Sequence, residues 1–258
     1  MPRFAANLTM MFNEVEFLAR FDAAKTNGFD AVEFLFPYAH KAEVIAEKLE
    51  KNGQELALFN LPPGDWEAGD KGMAAIPGRE QEFQDTVGVG LEYARVFGNK
   101  TVHMMAGILP GAVTVEKAFE TYVTNYRYCA DAFAEIGVTV IIEPLNTRDV
   151  PGYMISQNAG ARAVIAAVDR PNTGLQFDFY HVQIMTGDLA TRFELDLDIT
   201  KHVQIAGVPE RFEPNVGEIN YPYLFALMDR LGYEGYVGCE YRPQNGTEAG
   251  LGWLDGLR

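Results

Sequence analysis

The chain has few cysteines and few histidines, two of the former and four of the latter in 258 residues. Cys129 and Cys239 are too few for a disulfide framework in a chain this long and too few for a thiolate zinc site, which points to a reducing compartment. Basic charge is also short, at 21 Lys and Arg against 36 Asp and Glu, a net −15. A field of that sign repels phosphate backbones and anionic membrane surfaces, so nucleic acid and membrane are not expected partners. No apolar run reaches the roughly 18 residues of a membrane span. The opening MPRFAANLTMMF runs into the acidic EVEF without the apolar core of a secretory signal, and a cytoplasmic location is expected. Linkers, charge runs and low-complexity stretches are missing, so residues 1–258 are expected to form one domain.

What is present is a rhythm. Short apolar runs at 3–8, 30–36, 55–60, 101–106, 138–143, 173–178, 202–207 and 236–241 alternate with helical patterns. Eight runs in 258 residues give about 32 residues per unit, the length of a strand, a helix and two short loops. The fold class this predicts is α/β, a single closed (β/α)8 TIM barrel rather than an open doubly wound sheet. Residues 13–28 read as a helix capped by Asn13 and stopped by Gly28. Residues 114–137 read as one capped by Thr114 and stopped by Gly137. Two connections, 61–78 and 207–220, are long and rich in Pro and Gly, as lids and binding loops often are.

In such barrels the active site gathers at the C-terminal ends of the strands, where side chains alternate between barrel interior and helix layer. With Val138, Val140 and Ile142 facing the helices, Glu143 falls on the inward parity; Leu175 and Phe177 place Asp178 inward. By the same reasoning His202, Gln204 and Glu240 point in. Any one acid after a strand is commonly a solvated loop residue or a cap, but four oxygen-bearing side chains of matching parity converge. Three are carboxylates that would repel one another in a partly desolvated mouth unless they held a cation or protons. Oxygen donors without thiolate favour Mg2+ or Mn2+, with Co2+ also acceptable, and His181 lies three residues beyond Asp178. His103 is either filler beneath the site or a substrate contact, and His202 lies deep. Glu33, inward at mid-strand, bonds to the barrel interior or reaches substrate. Trp66 and Phe212, in the two long loops, are each placed either to close over the mouth or simply to pack.

The segments RFAANLTMMF, FDAVEFLFPY, NLPPGDW, IPGRE, IIEPLN, FDFYH, HVQIAG, EPNVGEINYPYLF and VGCEYRP resemble the hydroxypyruvate isomerase family, within the xylose-isomerase-like barrel superfamily, over essentially the whole chain. That family includes relatives that isomerise 2-oxo-tetronate. The opening residues and HVQIAG look nearer to that branch, NLPPGDW and IIEPLN nearer to the hydroxypyruvate branch. The resemblance implies that Glu143 and Glu240 are paired catalytic glutamates that also bind metal, with Asp178 and Gln204 as the other ligands. More distant superfamily members typically carry His at the position of Gln204. An amide oxygen there favours Mg2+ over Zn2+.

The implied reaction, part of carbohydrate metabolism, moves a carbonyl by one carbon in a small anionic hydroxy-oxo acid. It converts hydroxypyruvate to tartronate semialdehyde, or makes the analogous shift in 2-oxo-tetronate. One glutamate would remove a carbon-bound proton and the other return one, in an order the sequence leaves open. His181 would shuttle the oxygen-bound proton or orient a ligand. Arg211, Arg148 and Lys71 stand unranked as holders of the substrate carboxylate. A metal-assisted hydride shift is the competing mechanism. A sugar-acid epimerase or dehydratase, or a barrel that binds a small acid without converting it, are the other classes. A nuclease on this scaffold is disfavoured by four histidines and the acidic charge. Barrels often pair through their helical faces, so a homo-oligomer is open, but the sequence names no interface and leaves the oligomeric state undecided.

Overall fold

The computed structural model describes residues 2–257. In chain order its elements are β1 (Arg3–Asn7), α1 (Phe17–Thr26), β2 (Ala31–Phe34), α2 (Ala42–Asn52), β3 (Glu55–Asn60), α3 (Glu80–Phe97), β4 (Thr101–His103) and α4 (Val115–Ala134). There follow β5 (Thr139–Ile142), α5 (Asn158–Val168), β6 (Thr173–Asp178), α6 (Phe179–Met185), α7 (Leu189–Asp196), β7 (Thr200–Ile205), α8 (Tyr221–Leu231), β8 (Tyr236–Cys239) and α9 (Thr247–Gly250). The eight strands form a closed parallel barrel in sequence order, sealed where Ala5 and Ala6 of β1 pair with Gly238 and Cys239 of β8. This is the predicted (β/α)8 barrel, with an extra short helix, α6, directly after β6. Among the described residues no helix is long and apolar enough to cross a membrane.

Each strand has two layers to fill. Outward-facing Val102, Val140, Ile142, Leu175, Phe177, Val203, Ile205, Val237 and Cys239 are all buried in one core against the helices. Aromatic edges interlock there, with Phe177 against Phe193 at 5.3 Å and Phe59 against Phe97 at 5.4 Å. Inward, Ala5, Ala31 and Ala57 form a separate small cluster, and above it the interior becomes polar.

Several predicted strands end sooner than their apolar runs. The runs read as 101–106, 138–143 and 236–241 leave the ladder after His103, Ile142 and Cys239, which frees Glu143 and Glu240 to turn into the mouth. Thr114 caps α4 as expected, its hydroxyl accepting from the Lys117 amide, and Gly137 follows at φ +67°. Asn13 does not cap α1. The helix begins at Phe17 because residues 12–14 are drawn away by the C-terminal segment: the Phe12 amide donates to the Thr247 hydroxyl at 2.7 Å, and Glu14 accepts from the Thr247 amide at 2.6 Å.

Candidate active site

Each acid reaches the mouth for a local reason. Asp178 ends β6 and is the N-cap of α6, so one carboxylate oxygen accepts from the Tyr180 amide at 2.8 Å. Its other oxygen, Oδ2, is buried without a hydrogen-bond partner, as is Oε1 of Glu143. His181, one turn into α6, lies over the same face as Asp178, with Nε2 3.5 Å from Asp178 Oδ2 and 3.8 Å from Glu143 Oε1. Glu143, Asp178 and His181 thus bring ligand atoms within 4.8 Å of one another. Glu240, from the end of β8, is bonded by the Arg211 guanidinium and by Asn7 Nδ2 at 3.3 Å. Arg211 also stands 3.6 Å from Asp178 Oδ2 and lies 4.8 Å over the Tyr180 ring. Its backbone sits in the left-handed region at φ +62°.

Burial dominates the electrostatics. Glu143 is pushed well above the usual carboxylate range by burial and by the charges of Glu240 and Asp178. Burial lifts Asp178 to about 6 and Glu240 to about 7, in each case against the opposing pull of Arg211. His181 is held well below its usual value by burial, with Arg211 adding to the effect. The ring is therefore neutral, and its tautomer is set: Nδ1 accepts from the Asn146 backbone amide at 3.0 Å, which puts the proton on Nε2, aimed at the carboxylates. His181 is a donor into the cluster in this tautomer, not a ligand.

Beneath the acids runs a closed polar layer. Glu33 accepts from Asn7 at 2.9 Å and from Gln204 at 2.8 Å, and shares a 2.7 Å bond with His202. Gln176 donates to the Gln204 carbonyl at 2.5 Å. Of the two roles open to Glu33, the structure shows the interior one, and His202 is its partner, away from the mouth. Gln204 is tied into this layer, and its amide group also draws on Glu240, among the influences that hold that acid down. His103 is buried with neither ring nitrogen partnered, and burial pushes it down to about 3.

The three acids offer hard oxygen donors, two of them with orphaned buried oxygens, and the guanidinium of Arg211 is the cation that pairs with Asp178 and Glu240. Oxygen donors of that kind are chemically compatible with a hard divalent cation such as Mg2+, and Glu143 and Asp178 are the acids whose ligand atoms lie within 4.8 Å of one another.

A cavity of about 320 Å3 opens above, lined by Glu143, His181, His103, Arg211 and Glu240 on its floor and by Trp66, Lys71 and Arg242 at its rim. A larger hollow of about 740 Å3 lies at the opposite end of the barrel. Its acids, Glu50 and Glu55, are exposed, and no buried acid cluster faces it. Of the two loop aromatics, Trp66 lines the mouth, packed against Phe36 at 5.0 Å, and Phe212 does not. Arg148 is exposed and off the lining. Asn7, Gln176, Asn146, Tyr180 and Arg242 are site residues that sequence reasoning missed. The only signal for any of them was inward parity at Asn7 and Gln176.

A family model described as xylose isomerase-like TIM barrel matches residues 21–257. The sequence is 55% identical to the 2-oxo-tetronate isomerase of Cupriavidus necator over 254 residues, 98% of each chain. It is 45% identical to the hydroxypyruvate isomerase of Escherichia coli over 258 residues, the whole of both. The chain belongs to the hydroxypyruvate isomerase family. A crystal structure from Brucella melitensis, described as an AP endonuclease of family 2, superposes with a TM-score of 0.98 at 52% identity, each chain fully covered. The 3-keto-D-glucoside 4-epimerase YcjR of E. coli reaches 0.82 at 21% identity over 99% of each chain and shows a shared fold.

Proposed function

We propose that the protein is a metal-assisted isomerase of a small hydroxy-oxo acid that moves a carbonyl between C2 and C3, the two carbons that follow the carboxylate carbon. Hydroxypyruvate to tartronate semialdehyde is the simplest such reaction. The 2-oxo-tetronate to 3-oxo-tetronate reaction is the second reading, favoured by the 55% identity to the relative of that name. Both share the same atoms: a proton leaves C3, the C2–C3 bond becomes an enediolate, and a proton arrives at C2. The observation that carries the reading is the convergence of Glu143 and Glu240, both buried, on one small cavity beside Asp178.

One glutamate takes the C3 proton and the other delivers one to C2, and carboxylates held above their usual range are suited to both tasks near neutral pH. A divalent ion, Mg2+ in the first instance, held by Glu143, Asp178, Gln204 and Glu240, would supply the positive charge that stabilises the enediolate oxygens. His181 presents Nε2–H to the same space and passes a proton from O3 to O2 or fixes one of them. Cys129 and Cys239 are both buried and outside any disulfide, in keeping with a cytoplasmic enzyme. The net charge of −15 argues against a nuclease reading, despite the description carried by the Brucella melitensis structure.

The test is a coupled assay of Mg2+-loaded protein on hydroxypyruvate and 2-oxo-tetronate side by side, with Glu143→Gln as control. We expect turnover of at least one acid and a loss of about 10²–10⁴-fold in Glu143→Gln. A variant near wild-type activity would overturn the assignment.

A further inference from the structure

We propose that Lys71, seated on the face of Trp66, is the residue that takes the substrate's carboxylate, and so sets the preference for acids over neutral sugars. The proposal rests on the isomerase reading above. Three cations line the mouth: Arg211, Arg242 and Lys71. Arg211 is already committed to Glu240 and Asp178, so its charge is spent within the acid cluster. Arg242 is exposed, and its side chain makes no hydrogen bond or ion pair among the described residues. Lys71 differs from both. Its ammonium lies 3.3 Å from the centre of the Trp66 ring, and no carboxylate of the described residues pairs with it within 4.0 Å.

The reason it stays unpaired is structural. The neighbouring Asp70 is gripped at both oxygens by Arg79, each at 2.7 Å, and also accepts from the Asp65 amide at 2.8 Å. On the other side Gly72 bridges to Ala106, and at φ +94° a Cβ there would run into the Met105 carbonyl. The loop is thus pinned on both sides of Lys71, the adjacent acid is neutralised, and an aromatic face holds the cation over the cavity. An indole face attracts a cation without satisfying its hydrogen-bond donors, which leaves them for an incoming anion. In a chain of net charge −15, an uncompensated ammonium placed at the rim of an acid-lined cavity is suited to a carboxylate ligand.

The experiment compares wild type, Lys71→Met, Lys71→Arg and Arg242→Met, each loaded with Mg2+. Kinetics are measured on hydroxypyruvate and on dihydroxyacetone, which offers the same reacting carbons with a hydroxymethyl group in place of the carboxylate. For Lys71→Met we expect kcat/KM on hydroxypyruvate to fall about 100-fold, carried by KM, with far less loss on dihydroxyacetone and substantial rescue in Lys71→Arg. Calorimetric binding of tartronate decides the matter without turnover: its Kd should weaken at least about tenfold in Lys71→Met and little in Arg242→Met. Equal losses on both substrates, unchanged tartronate binding in Lys71→Met, or a loss confined to Arg242→Met would each overturn the proposal. Absence of turnover on any acid, with tartronate binding still dependent on Lys71, would overturn the isomerase reading and leave this one standing.

Discussion

At the scale of single residues, the division of labour between Glu143 and Glu240 yields a direct isotopic consequence. A carboxylic acid that has taken a proton from C3 holds it beside a cavity open to solvent, and burial that keeps Glu143 and Glu240 above the usual range lengthens that residence. Substrate deuterated at C3 and turned over in ordinary water should therefore lose at least part of its label, read by mass spectrometry of the product. Full retention at C2 would favour a hydride shift. These acids were legible because inward parity is a local property: a strand of alternating Val and Ile fixes where the next side chain points. Asn146 and Tyr180 were not. Their contribution depends on α6 packing against the segment after β5, where the Asn146 amide meets His181, and such pairing leaves no periodic trace. Arg211 was named as one of three basic residues in loops; its place against Glu240 depends on a left-handed backbone that no local rule assigns to arginine.

At the scale of elements, β8 shows how a strand is shaped by what lies opposite. Gly238 faces the interior, and a Cβ there would overlap the Glu33 carboxylate, the acceptor for Asn7, Gln204 and His202. The glycine in VGCEY is thus what allows a buried carboxylate to sit at mid-barrel. Gly238→Ala should cost about 2–4 kcal/mol of stability by displacing Glu33 from donors it cannot replace, measured by urea denaturation. A cost below about 1 kcal/mol would mean that the network relaxes freely. The alternation of strands and helices was readable because each outward strand face must be apolar to seat a helix. The start of α1 was not, since Asn13 satisfies a local capping rule that the distant Thr247 overrides by binding Phe12 and Glu14. Long-range hydrogen bonds of this kind outweigh a cap worth about 1 kcal/mol.

At the scale of the whole molecule, the acid cluster couples stability to pH and to the ion it is suited to hold. Asp178 at about 6 and Glu240 at about 7, with Glu143 higher than its usual range, all sit above unfolded-chain values near 4. Between about pH 4 and 7 the unfolded chain releases protons that the folded chain retains, so these groups lower stability as pH rises through that window. His103 and His181 act in the opposite sense. They are neutral when folded, His103 down to about 3, so their contribution is lost as pH falls below about 6.5, where the unfolded chain takes up protons. A bare pH profile of Tm therefore mixes opposing contributions. The increment in Tm on adding a divalent ion does not, because the histidines hold the same protonation with and without it in the tautomer seen here, while the ion must displace protons from the acids. Saturating Mg2+ should raise Tm relative to EDTA by roughly 5–10 °C at pH 8 and by clearly less at pH 5.5. Glu143→Gln should shrink the pH 8 increment, whereas an increment as large at pH 5.5 as at pH 8 would show that the ion binds somewhere other than these acids.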